Sequence, residues 1–167
     1  YANTFTAPFV FDDLPHITEN PGIRMSEITP EALTRILKSR LITRPLANFS
    51  LAVNFFFDQY DVRGYHAVNL VIHIITALLV MLVARETLRL CGSETRLVPF
   101  LAAALWMVNP VHTQSVTYIV QRMSSLAALF HMLALYLYIR ARMNAGDSQG
   151  RSFLLYVLCL AAAVLAL

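Results

Sequence analysis

Tyr65-His66-Ala67-Val68-Asn69-Leu70-Val71-Ile72-His73-Ile74-Ile75-Thr76-Ala77-Leu78-Leu79-Val80-Met81-Leu82-Val83-Ala84 contains no Asp, Glu, Lys or Arg. A helix needs roughly 20 such residues to cross the ~30 Å hydrocarbon core of a bilayer, and this stretch supplies them. The same pattern recurs to its C-terminal side. A shorter apolar run covers 97–108 and stops at Asn109-Pro110. A third helix is expected from 113–116 to about Ile139, and a fourth from Ser152 onward. Of the 167 residues 57% are hydrophobic and 14% charged. Soluble domains lie nearer half apolar and a quarter charged, so the composition points to an all-α, polytopic transmembrane bundle. The chain begins at Tyr1 and ends inside the apolar run 153–167, and further helices are expected on both sides.

Two regions follow from this reading. Residues 1–65 form a polar-to-amphipathic loop region with interfacial helices, and residues 66–167 hold about four spanning or near-spanning helices, the last truncated. In the first region Thr29-Pro30-Glu31 has the order of a helix start: N-cap, Pro at the first helical position, acid in the first turn. That helix is expected to run to about Ser39. Arg44-Pro45 opens a second, amphipathic helix from Leu46 to about Phe57, with Asn48 and Asn54 off its apolar face. Such helices commonly lie along a membrane surface.

Arginine placement orients the chain. Arg85, Arg89, Arg96, Arg140, Arg142 and Arg151 flank two turns, while 109–115 has neither Lys nor Arg. The positive-inside rule makes the arginine-rich turns cytoplasmic and places 1–65 and 109–115 on the opposite face. The net charge of +3 comes from scattered arginines and gives no ground for nucleic-acid binding. Cys91 and Cys159 are too few and too far apart for a disulfide framework or a metal site.

Three polar groups stand out. Asp12-Asp13, with His16, lies among apolar neighbours; the pair suits a general base or a metal ligand, and equally a helix cap or a solvated loop. Gln114, Tyr118, Gln121 and Arg122 recur at helical spacing after Asn109-Pro110-Val111-His112, as a polar stripe entering the third helix. An arginine that close to a membrane helix is paired, functional or reaching back to the surface. His66, Asn69 and His73 share one face of the first spanning helix. The simplest use for them is hydrogen bonding between helices, since a metal site needs ligands their spacing does not supply. His131 stands alone and reads as structural. Arg44, at a helix start, suits an anion or a lipid head group.

In this order, the acidic pair, Arg44-Pro45-Leu46, Gly64-Tyr65-His66-Ala67-Val68-Asn69-Leu70-Val71-Ile72-His73, Asn109-Pro110-Val111-His112-Thr113-Gln114-Ser115-Val116 and Arg122 resemble the membrane half of TMTC-type proteins, with Tyr118 to Phe130 closer to the bacterial members. The resemblance implies a GT-C-like glycosyltransferase fused to tetratricopeptide repeats. It implies transfer of a sugar from a polyprenyl-phosphate donor to a protein hydroxyl on the periplasmic or lumenal face of a membrane, the bacterial inner membrane for a bacterial member. Asp12 or Asp13 would be the catalytic acid of the first outer loop. Arg44, Arg122, His112 and Gln114 would contact the lipid phosphate or substrate, and a divalent cation is a further expected partner. The alternative is a catalytically silent subunit of the same fold that anchors or assembles a larger membrane complex.

Overall fold

The structure is a computed structural model that describes residues 1–25, 27, 29–37, 44–146 and 149–167. The expected helix end near Ser39 and part of the turn after Asn144 lie outside the described residues. Among the described residues there is no strand. The longer elements are α1 (Pro30–Leu37), α2 (Pro45–Asp58), α3 (Val62–Leu90), α4 (Leu97–Val108), α5 (Gln114–Thr117), α6 (Arg122–Met143) and α7 (Gln149–Leu165). Short helical turns at Ala2–Thr6, Leu14–Thr18, Pro21–Ile23, Pro110–His112 and Ile119–Gln121 connect them.

The chain forms two compact units. One comprises Tyr1–Val71 and Thr113–Ser125, the other Ile72–His112 and Leu126–Leu167. The first has its own apolar core: Ile17, Ile23 and Met25 from the N-terminal turns, Ile36 of α1, Leu51 and Ala52 of α2, Tyr65 of α3 and Ile119. Phe9 packs edge-on against Tyr65, with ring centroids 5.4 Å apart. This region therefore buries residues against itself. Asn48 and Asn54, expected away from the apolar face of α2, are both buried, and Asn54 is turned inward by a buried cation described below.

Local chemistry sets the helix ends. Pro45 fills the first position of α2, whose residue Arg44 is extended as the residue before a proline prefers. α2 ends at Gln59, in the left-handed region at φ 50°. The Asp61 side chain then caps α3 by accepting the Arg63 N–H at 3.0 Å. α3 runs past the expected Ala84 to Leu90 because its stop signal lies further on. Gly92, at φ 77°, donates to Arg89 O, and Ser93 donates to Leu88 O. These two bonds are the Schellman arrangement, which glycine forms without Cβ strain. Arg85 and Arg89 are accordingly helical rather than loop residues.

The expected continuous third helix is broken. α5 closes at Tyr118, whose backbone is extended (φ −109°, ψ 110°), and a tight turn at Ile119–Gln121 precedes α6. The helical spacing of Gln114, Tyr118, Gln121 and Arg122 thus does not define one helix face. The break is held by side chains from elsewhere in the same unit, which sequence periodicity does not register.

Two segments are long and apolar enough to cross a membrane, Val62–Leu90 and Ile119–Met143. Their apolar windows are 33% and 11% buried, so most of that surface is uncovered, unlike the core helix of a soluble domain. α4 and α7 are apolar but shorter, and both expose leucines, valines and phenylalanines along their length.

Candidate functional site: an acidic turn on a locked arginine

The acidic pair sits on a tight turn. Phe11 takes a φ of 48°, uncommon for a bulky side chain, and its ring is 82% exposed. The turn is held by Asp13. Its Oδ2 accepts the Val10 N–H at 3.1 Å and its Oδ1 accepts the Val120 N–H at 2.7 Å. Asp13 is buried, and burial pushes its carboxyl above the usual carboxylate range against the opposing pull of the two N–H groups. Asp12, next in the chain, is exposed. Its backbone N–H donates to the Tyr118 hydroxyl at 3.0 Å. His16 Nδ1 donates to the Asp12 carbonyl at 2.7 Å. The two acids thus have different circumstances: Asp13 holds the turn and Asp12 faces solvent beside a phenol. Burial, the largest influence, raises the Tyr118 hydroxyl above the ordinary phenol range, so it keeps its proton at neutral pH.

The break that presents Tyr118 and Val120 rests on Arg122, which is completely buried. Its Nε donates to Asn69 Oδ1 at 2.7 Å and its Nη2 to Tyr65 O at 2.9 Å. Its Nη1 donates to Asn54 Oδ1 and to the Ser50 carbonyl and hydroxyl. The guanidinium carbon also lies 5.6 Å from the centre of the Tyr65 ring. A buried charge is tolerated only when so enclosed. Asn54 passes the interaction on, donating to Asp58 Oδ2 at 2.9 Å. Arg122 was a candidate phosphate ligand, yet no part of it reaches the surface.

His66 and Asn69 serve the same unit. The ring nitrogens of His66 face Val116 O at 3.2 Å and Ala7 O at 3.0 Å. Asn69 Nδ2 reaches the Tyr118 and Ile119 carbonyls, each at 3.4 Å. These bonds fix the broken backbone. Arg44 is half-buried and its Nη1 donates to Met123 O at 3.0 Å; Gln114 opens α5 with an exposed side chain.

The other unit takes His73 and His112. His73 Nε2 meets Met107 O at 3.0 Å, and its ring stacks on Trp106 with centroids 4.8 Å apart. His112 lies 4.4 Å from Trp106. Burial, with His73 second, lowers the His112 imidazole, which leaves it neutral at neutral pH. Among the described residues no three His, Cys, Asp or Glu side chains converge on a metal position.

Several partners have no signal in sequence periodicity. Ser50, Asp58 and the Tyr65 carbonyl gather around Arg122 only through tertiary contact. Trp106, the sole tryptophan, carried no sequence signal as a partner of His73 and His112.

By sequence the chain is similar to protein O-mannosyl-transferases of the TMTC type, as its motifs imply. It is 30% identical to mouse protein O-mannosyl-transferase TMTC1 over 84% of the chain and 16% of that protein. It is 27% identical to Drosophila melanogaster protein O-mannosyl-transferase Tmtc3 over 99% of the chain and 20% of the relative. The Caenorhabditis elegans protein O-mannosyl-transferase F38B6.6 is 27% identical over 85% of the chain and 21% of its own length. The chain therefore spans about one fifth of these curated relatives. No family model matches it, and no solved structure does.

Proposed function

We propose that this chain is the membrane-embedded catalytic portion of a protein glycosyltransferase with a GT-C-like helical bundle. It transfers a sugar from a polyprenyl-phosphate donor to a protein hydroxyl on the non-cytoplasmic face. The similarity to protein O-mannosyl-transferases supports the reaction class, and the uncovered apolar surfaces of α3 and α6 support the membrane. The arginine distribution supports the side.

The observation that carries the assignment of roles is the contrast within the acidic pair. Asp13 has both oxygens committed to backbone N–H groups, whereas Asp12 is exposed and positioned by Tyr118. Asp12 is therefore the base. Its carboxylate takes the proton of the acceptor hydroxyl while the acceptor oxygen bonds to the anomeric carbon. The bond from that carbon to the phosphate oxygen breaks, and its electron pair leaves with the polyprenyl phosphate. Arg44, half-exposed and anchored on Met123 O, stabilises the growing phosphate charge. Gln114, exposed at the start of α5, hydrogen-bonds to substrate, while Arg122 and Asp13 act by holding the turn.

The test uses the full-length protein. Asp12→Asn should abolish glycosylation of the acceptor while yield and thermal stability stay at the wild-type level. Asp13→Asn should keep measurable transfer, because its amide oxygen can still accept one of the two N–H groups. Normal transfer by Asp12→Asn would remove this residue from the chemistry.

A further inference from the structure

The end of α3 carries a feature that sugar transfer does not use. Arg85, Arg89, Ser93, Glu94, Thr95 and Arg96 line a small polar cleft. Arg85 and Arg89 are one helical turn apart on one face of α3, an arrangement of like charges that disfavours the helix when nothing compensates it. The Gly92 turn then folds the chain back so that Arg96, at the start of α4, joins them. The nearby buried acid is already shared: Glu86 lies 3.3 Å from Arg89 Nη1 and 3.5 Å from Arg140 Nη1. Among the described residues, Arg85 and Arg96 have no carboxylate within ion-pair distance. The Ser93 and Thr95 hydroxyls complete the lining.

We propose that this cleft binds a phosphate group, with Arg85 and Arg96 as its principal ligands and Arg89 beside them. Guanidinium groups match phosphate oxygens with paired N–H donors, and hydroxyls add neutral donors. A scattered positive-inside signal needs only charge near the membrane. Here Arg85 and Arg89 of α3 and Arg96 at the start of α4 line one concavity, where an anion offsets their like charge. The exposed Glu94 opposes the anion and tunes affinity downward. If α3 crosses a bilayer, the cleft lies at head-group depth, where basic pockets beside membrane helices take anionic lipid. The phosphate is then that of a lipid head group; the same chemistry would hold free phosphate. The inference depends on these side chains and not on the transfer reaction.

Native mass spectrometry of the full-length protein in detergent decides it, with phosphatidylglycerol, phosphatidylcholine and inorganic phosphate titrated separately. Wild type should retain phosphatidylglycerol in preference to phosphatidylcholine. The double variant Arg85→Gln/Arg96→Gln should weaken that retention at least about tenfold, as loss of charge-assisted hydrogen bonds predicts. Arg142→Gln/Arg151→Gln, which removes the same charge elsewhere, should retain it, and Glu94→Gln should tighten it. Binding of inorganic phosphate with the same dependence on Arg85 and Arg96, without phosphatidylglycerol retention, would identify free phosphate as the ligand. Retention of neither, or equal losses in the two double variants, overturns the proposal.

Discussion

The backbone N–H of Val120 donates to Asp13 Oδ1 at 2.7 Å, although the two residues lie 107 positions apart. This bond ties the acidic turn to the break before α6. It makes the position of Asp12 a consequence of how Tyr118 to Gln121 are folded. Asp13→Ala removes the acceptor and leaves the buried Val120 N–H unsatisfied, a cost of about 1–3 kcal/mol. Thermal unfolding in detergent should show the loss, and unchanged stability would mean that the turn is held by other contacts.

Asp13 also gives the turn a pH dependence. Its carboxyl titrates above the ordinary value of 3.8 because it is buried. The folded state therefore binds the proton more tightly than the unfolded chain. The stability this provides is fully present below the unfolded value and is lost as pH rises through the folded value. Measured against Asp13→Asn, wild-type stability should fall as pH is raised from below 3.8 and level off once the buried carboxyl has ionised. A difference that grows with pH would contradict the burial argument.

Arg122 sits among neutral acceptors, so its enclosure must be complete to be tolerated. Asn69→Ala leaves the Nε donor unpaired and should destabilise the protein by about 1–3 kcal/mol. Arg122→Ala should cost more, because it empties a site built around a planar fork, and Arg122→Lys should not rescue it. Yield of monodisperse protein on size exclusion reports both effects, and full rescue by lysine would show that charge alone suffices.

Gly64 is needed for a neighbour rather than for its own backbone. A Cβ there would fall on the Asp58 carboxylate, which also accepts the Asn54 hydrogen bond beside Arg122. Gly64→Ala should therefore destabilise the fold, and Asp58→Ala in the same chain should relieve part of the damage. The thermal shifts of the two single variants and the double variant should be non-additive, since the residues are in contact. Simple additivity would place the strain elsewhere.

The proposed orientation is open to a labelling experiment. Cys91 is exposed in the arginine-rich turn after α3. In intact cells a membrane-impermeant maleimide should leave Cys91 unmodified and should modify a cysteine placed at Thr113 in a Cys91→Ser background. The reverse pattern would put the acidic turn in the cytoplasm and end the proposed chemistry.

The apolar run from Tyr65 to Ala84 and the low share of charged residues were enough to define long lipid-compatible helices, because period and composition are local properties. Arg44-Pro45 likewise marks the start of α2, since capping acts over a few residues. The ends of α3 at Val62 and Leu90 were missed, because both lie outside the run from Tyr65 to Ala84 that predicts this helix. The ordered motifs from Asp12 to Arg122 were enough to place the chain beside the TMTC-type proteins. Sequence could not separate Asp12 from Asp13, nor show that Arg122 is enclosed. Those outcomes depend on which distant backbone groups come within hydrogen-bonding distance. Val120 claims Asp13, while Ser50, Asn54, Tyr65 and Asn69 claim Arg122, and burial makes these bonds obligatory rather than optional. That pairing, decided only in three dimensions, is what breaks the helix at Tyr118 and leaves Asp12 exposed beside it.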